Sequence, residues 1–436
     1  MLQQQVDTGR HREGRTRGRG RTLSWVAMLS LAAILLAACG SSSDDEAASG
    51  SSTESSAGGG AAPAGEPIKV MTEAPIDTNL TPYPNIRDAA KFYAQWINEK
   101  GGINGRPLEV IFCDDKNDPN EAGNCARKAV EEKVIANVGS FTIDVSRGIP
   151  IYEENDIAWF GACCPIVAQE NTSKISFPMG FVGGFPTAAA IQMVEDGCKS
   201  IATTYGDLPV ADVFHGLFVN GWKAAGQTSE VKMVKTPLAP GDYSAEIAKM
   251  TSPDIDCLFG NIGEANWPSV ITALNSAGKS PRLYGPQGNL DAKVAADFPE
   301  ETDGAVVLGV YPDMSDAVFA DYRAALEKYD ASDDIDWNSL GGLGTWTAYV
   351  AFTKIVEGMD GEITSKTFLD AASKTTDLDT GGMVANLDFT KEWDGAGGDF
   401  PRIFNRNIFV SGIKDGKMVA GDPEPIDVSN AVDGKK

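Results

Sequence analysis

Two histidines, His11 and His215, and seven cysteines bound the chemistry open to this 436-residue chain. So few histidines disfavour a His-rich zinc centre, and a Ser-His-Asp triad would have to use His215 as its base. No Walker A phosphate loop and no Gly-x-Ser-x-Gly elbow occurs. Asp330, Ser332, Asp334 and Asp336 alternate as in a calcium loop, yet Ile335 stands where such a loop needs Gly and Gly341 where it needs a bidentate Glu. That run reads as a solvated turn. No catalytic residue, metal or cofactor is therefore expected. Charge excludes a further class: 61 Asp+Glu against 37 Lys+Arg give a net charge of −24, which repels phosphate backbones.

Cys39 is different from the other cysteines. Arg10, Arg12, Arg15, Arg17, Arg19 and Arg21 precede an apolar run from Leu23 to Ala38, which ends in Leu36-Ala37-Ala38-Cys39-Gly40. The run is shorter than the roughly 20 residues of a membrane span and has the length of a signal-peptide core. Small residues before a cysteine resemble the bacterial lipobox, which implies acylation of Cys39 as the mature N-terminus. The competing reading is an ordinary signal peptide cut near Ala38. Residues 40–66 are almost all Ser, Gly, Ala, Asp and Glu, so residues 39–66 are expected to form a flexible tether behind a signal peptide of residues 1–38. Losing that peptide removes six Arg with Asp7 and Glu13, leaving 31 basic and 59 acidic residues. The expected location is the outer face of the cytoplasmic membrane, held there by the lipid alone.

Six cysteines remain, an even number suited to an oxidising compartment. Cys113 ends a strand and Cys125 lies one turn into the next helix, a layout that favours a disulfide over two buried thiols. Cys198 precedes one strand and Cys257 lies in another, and neighbouring parallel strands would bring them together. Cys163 and Cys164 are left as an adjacent-residue disulfide, free thiols or a shuffled pairing.

The elements that carry these residues alternate. Strands are expected at Ile68–Met71, Leu108–Phe112, Val134–Val138 and Ala158–Phe160. Helices are expected between them: Ile86 to Ile97 at helical spacing, one opened by Asp118-Pro119, and one over Asp144–Glu154. After a Gly/Pro-rich break at Pro178–Pro186, strands follow at Ser200–Thr204, Glu230–Val234, Ile255–Phe259, Arg282–Tyr284 and Ala305–Val310. Helices alternate with them and continue to Ser365–Lys374. The pattern predicts an α/β protein of two doubly wound parallel-sheet lobes, whose ligands sit at the carboxyl ends of the strands.

Specific segments then look familiar. Ala94-Gln-Trp-Ile-Asn-Glu-Lys-Gly-Gly-Ile-Asn-Gly-Arg-Pro-Leu108 resembles the first helix and turn of type I periplasmic binding proteins, the branched-chain amino acid and amide class that serves ABC importers. Asp114-Asp-Lys-Asn-Asp-Pro-Asn-Glu-Ala122, Ile151–Ile157, Gly241–Ile247 and Leu283–Gln287 resemble later segments of that family in order, over about Ile68 to Lys417. The resemblance implies a two-lobed clamp joined by three crossing segments, with lobe one at 67–182 and 311–395 and lobe two at 183–310 and 396–436. Closure is favourable only when both lobes touch a ligand, and the permease would recognise the closed form. It also implies a monomer that captures a small polar solute and passes it to ABC permease subunits, with no nucleic-acid partner. The rival couples the same clamp to a signalling partner.

Matching position assigns the ligand loops. Ser140, Phe141 and Thr142 follow the third strand, where a hydroxyl and free N–H groups could hold a carboxylate. Ala162 and Cys163 follow the fourth, with Cys163 standing where relatives offer a hydroxyl. Tyr83 offers an aromatic wall, and Asp207, Asn261 and Glu264 come from lobe two. Gln287 occupies the position where amino-acid binders of the class place an acid for the ligand ammonium. An amide cannot supply that charge-assisted bond. Either Glu264 or Asp207 replaces it, or the ligand lacks an ammonium. Trp96 and Trp267 are expected to pack, and His215 to be structural.

Overall fold

The computed structural model describes residues 62–421 and 424–436. Cys39, the expected signal peptide and most of the expected tether lie outside the described residues. The last tether residues do not: the Ala64 N–H donates to the Gly105 carbonyl, and Arg106 Nε donates to that of Glu66. The folded body has begun by Ala64.

Five strands form the first sheet: β1 (Ile68–Glu73), β2 (Leu108–Cys113), β3 (Ala136–Val138), β4 (Ala158–Phe160) and β5 (Ser176–Phe177). They are parallel, in the order β2-β1-β3-β4-β5. The second sheet runs through β6 (Ile201–Gly206), β7 (Lys232–Thr236), β8 (Cys257–Asn261), β9 (Arg282–Pro286) and β10 (Val306–Gly309). It ends in β11 (Asn407–Lys414) and β12 (Lys417–Ala420), with β13 (Ile426–Asp427) beside β11. Its order is β12-β11-β10-β9-β8-β6-β7, parallel from β7 to β10 and antiparallel beyond. Each parallel set therefore has its first strand flanked by its second and third. The winding direction reverses there, and at such a switch point the loops leaving the strands part to open a crevice.

Why these segments become these elements is visible locally. Asp118 caps the helix Pro119–Glu131 by accepting from the N–H groups of Asn120 and Glu121, with Pro119 in the first turn. Ser339 caps Leu340–Glu357 through the Gly342 N–H. That helix is buried on almost every turn and reaches the site: Thr345 Oγ1 donates to the Gly139 carbonyl at 2.7 Å, and the Tyr349 hydroxyl lies 2.7 Å from Thr72 Oγ1. The chain passes between the sheets three times, at 178–183, 310–319 and after Phe389. Asn405 Nδ2 ties the third passage to the first through the Met179 carbonyl. The Arg402 guanidinium lies 4.9 and 4.7 Å from the ring centroids of Phe177 and Phe404. One apolar cluster runs from Ile68 in the first sheet through Phe181 to Tyr205 and Phe259 in the second.

Several expectations are corrected. The helix expected over Asp144–Glu154 covers only Ile149–Glu154, because Gly148 and Pro150 set its start. The strand expected at Glu230–Val234 occupies Lys232–Thr236. Within the Gly/Pro-rich break, Gly184 opens the helix Gly184–Glu195, which is buried on too many sides to show a helical stripe. The antiparallel edge β11–β12 lies beyond the expected strand–helix pattern. Trp267 and Trp96 pack as expected, and His215 Nδ1 shares a hydrogen bond with Thr203 Oγ1.

Candidate functional site

The crevice of the first sheet lies between the loops that leave β1 and β3. The loop after β1 ends at Tyr83, whose ring meets Phe141 edge to face at 4.8 Å. Phe141 is buried beside two hydroxyls that both turn inward. Ser140 Oγ accepts the Glu73 N–H at 2.8 Å and donates to Asn137 Oδ1. Thr142 Oγ1 accepts from the Asp144 N–H, and its hydroxyl bears on the Asp115 carboxyl. The main chain is left free: among the described residues nothing accepts from the N–H groups of Ser140 or Thr142, although both residues are buried. Buried N–H groups without partners are rare and mark a place for an anion or a carbonyl oxygen.

The loop after β4 is held from three sides. The Ala162 carbonyl accepts from the Met179 N–H, and Cys163 is joined to Cys164. A β-carbon on Gly180 would sit 1.9 Å from the Cys163 oxygen, and one on Gly344 would sit 2.8 Å from Cys163 Cβ, so both approaches need glycine. Behind this loop lies Glu170, 1% exposed. Its Oε2 accepts from the N–H groups of Ile166 and Val167, and Oε1 accepts from Trp159 Nε1. Burial nonetheless pushes its carboxyl up to about 7. The other two disulfides join Cys113 to Cys125 and Cys198 to Cys257, in keeping with the layout.

The second sheet presents its loops after β6 and β8. Asp207 is exposed and lies 4.0 Å from Lys235, which is closer to Asp212 at 3.0 Å. It belongs to the rim. Asn261, partly exposed, ends β8, and Glu264 opens the short turn that follows. Glu264 is half-buried; burial raises its carboxyl and Asp291 adds to the rise. It also bears on Tyr83, whose phenol is raised first by burial and then by Glu264. Gln287 is not exposed to this space. Its N–H donates to the Leu308 carbonyl, and its buried Oε1 lies against Gly309 with no partner.

Acids that sequence reasoning missed complete the site. Burial, with Asp291, Glu264 and Asp313 adding to it, pushes Asp336 up to about 7. Asp291 is buried as the cap of the helix Ala292–Asp297, and burial raises it too. Lys293 is the cation that bears on Glu264 and Asp291, yet it is exposed and paired with Asp297. Asn338 donates to Asp313, while Asn85 Nδ2 reaches Ser339 Oγ and the Asp336 carbonyl. The alternating acids at 330–336 were the available signal. Most of that run is exposed turn, as expected, but its last member is drawn toward Glu264 and Asp291.

These features are unpartnered N–H groups after β3 and carboxyls drawn from both halves of the chain, Glu264 and Asp291 with Asp336, and among the described residues they include neither a nucleophile–base pair nor a metal cluster. The family profile described as periplasmic binding protein matches residues 81–400. The chain belongs to the periplasmic binding protein family. Members are substrate-binding transport proteins, so the expectation of a binder rather than an enzyme holds. The Leu-, Ile-, Val-, Thr- and Ala-binding protein of Pseudomonas aeruginosa is 24% identical over 76% of this chain and 91% of its own length. A possible leucine/isoleucine/valine-binding protein from Rhodopirellula baltica superposes with a TM-score of 0.66 at 17% identity, covering 82% of this chain and 97% of that one. An R. palustris solute-binding protein in complex with benzoate gives 0.62 at 18% identity, over 82% and 97%. These periplasmic binding proteins share the two-lobed fold, and no helix among the described residues is long and apolar enough to cross a membrane.

Proposed function

We propose that this chain is the lipid-anchored solute receptor of an ABC importer, and that its lobes (67–182 with 311–395, and 183–310 with 396–436) close on a small amino acid and deliver it to the permease. The observation that carries the ligand class is the opposition of charge preferences across the crevice. The ligand carboxylate is to be seated by the Ser140 and Thr142 N–H groups, with Tyr83 and Phe141 as its wall. The ammonium is to be met by Glu264, with Asp336 behind it, in place of the neutral Gln287. Asp207, exposed beside Lys235, is set aside as the counter-ion. Support for permease docking comes from the rim: Leu80, Ile143 and Ile166 on one lobe and Leu208, Val210 and Leu238 on the other are exposed where loops leave the strands.

Calorimetry against leucine, valine, alanine, glutamine and benzoate tests the ligand class. A hydrogen bond to a charged group is worth about 1.5–3 kcal/mol, so Glu264→Gln should weaken amino acids about ten- to a hundredfold and leave benzoate unchanged. Amino-acid affinity that survives Glu264→Gln combined with Asp336→Asn would overturn the reading.

A further inference from the structure

The last residue of β1, Glu73, is fully buried and grips the Ser140–Thr142 loop by its main chain. Its N–H donates to Ser140 Oγ at 2.8 Å and its carbonyl accepts from the Phe141 N–H at 3.1 Å. Its side chain joins the same loop by a circuit of hydrogen bonds. The Tyr152 hydroxyl donates to Glu73 Oε2 at 2.9 Å, Asn137 Nδ2 donates to that hydroxyl at 2.9 Å, and Asn137 Oδ1 accepts from Ser140. Glu73 Oε1 has no partner. Asp115, also fully buried, feels the Thr142 hydroxyl at the other end of the loop, and its Oδ2 is likewise unpartnered.

The groups that face Glu73 are Asp115, Tyr152 and Glu170. Those that face Asp115 are Asp114, the Thr142 hydroxyl and the Asn117 N–H. None is cationic. A buried carboxylate with an open oxygen and acidic neighbours is costly, so the neutral acid is the form this packing accommodates. Burial and Asp115 accordingly hold the Glu73 carboxyl well above its ordinary range.

We propose that Glu73 is the positioning residue of the Ser140–Thr142 loop and that it makes the shape of this loop proton-linked: the loop stays zipped to β1 while Glu73 carries its proton and opens when that proton passes to water. Only the consequence for solute affinity rests on the proposed function; the linkage itself needs no ligand.

Hydrogen exchange of the full chain, without added ligand, tests it across pH 6 to 9 after correction for the intrinsic rate. Opening that releases one proton predicts that protection of residues 138–144 falls about tenfold per pH unit until Glu73 ionises in the closed loop. Strands of the second sheet should fall less. Glu73→Gln, which keeps the shape of the neutral acid, should flatten the profile. Asp115→Asn removes a neighbouring charge and should bring the plateau to lower pH. A flat wild-type profile, or a slope that Glu73→Gln retains, overturns the proposal. Should Glu73→Gln fail to fold, an unmoved plateau in Asp115→Asn overturns it. A failed amino-acid panel beside an intact slope would sink the ligand assignment alone.

Discussion

Replacing Glu170 with Gln should remove a pH dependence of stability that the wild-type chain carries between about pH 4.5 and 7. The carboxyl sits fully buried behind the Cys163–Pro165 loop, and burial raises it from its ordinary 4.5 to about 7. Because the folded state holds this proton more tightly than the unfolded chain, the folded protein loses stability as pH climbs through that window. Below it both states are protonated and nothing is lost. Each pH unit that separates the folded from the unfolded value is worth about 1.4 kcal/mol, so the whole window amounts to about 3 kcal/mol. The amide is not a perfect substitute. Its single oxygen can serve the Ile166 and Val167 N–H groups, 2.7 and 3.0 Å away, or Trp159 Nε1 at 3.1 Å, but not both sides. An unsatisfied buried donor costs about 1–3 kcal/mol at every pH. The variant should therefore be the less stable protein near pH 4.5 and draw level with or pass the wild type above pH 7. Urea unfolding of the oxidised protein, at half-unit steps of pH, reads the difference directly. A difference that stays constant to within about 1 kcal/mol across the window would refute the assignment of a buried, proton-holding Glu170.

Further outcomes follow from the same packing. Loop-closure entropy scales with the enclosed length, so replacing Cys198 and Cys257, 59 residues apart, with Ser should cost about 4 kcal/mol, against about 3 kcal/mol for Cys113 and Cys125, 12 apart; denaturant midpoints check the order. Gly180→Ala would drive a β-carbon into the Cys163 carbonyl and should destabilise by about 1–3 kcal/mol or more while weakening every ligand, because the loop after β4 must move. Affinity for ammonium-bearing ligands should fall as pH drops through about 7, where Asp336 takes up a proton, and Asp336→Asn should flatten that limb in calorimetry. The Glu73 linkage acts in the opposite sense, at the alkaline side.

How the site is organised explains which of its parts can be read early. The loops after β1, β3, β4, β6 and β8 are locatable because alternation of apolar strand and amphipathic helix is a local property. Once the order within a doubly wound sheet is set, the switch point selects those loops. The cysteine pairs are legible for a similar reason: Cys113 and Cys125 flank one turn, and Cys198 and Cys257 lie at the start of adjacent strands, where Ile201 pairs with Cys257. The helix Gly184–Glu195 is not, since burial on many sides erases the periodicity that would announce it.

What the chain's order of residues determined, then, was the alternating architecture and the loops from which a binding site is built, beside a segment before residue 40 that resembles an export and anchoring signal. The direction of each polar side chain within those loops was decided only by packing. Ser140 and Thr142 turn away from the crevice because Asn137 and Asp115 wait beneath them, and Gln287 folds against Gly309 because that glycine leaves room. Asp336 joins Glu264 and Asp291 from another part of the chain, and a residue's rotamer and proton affinity depend on neighbours that sequence distance does not reveal.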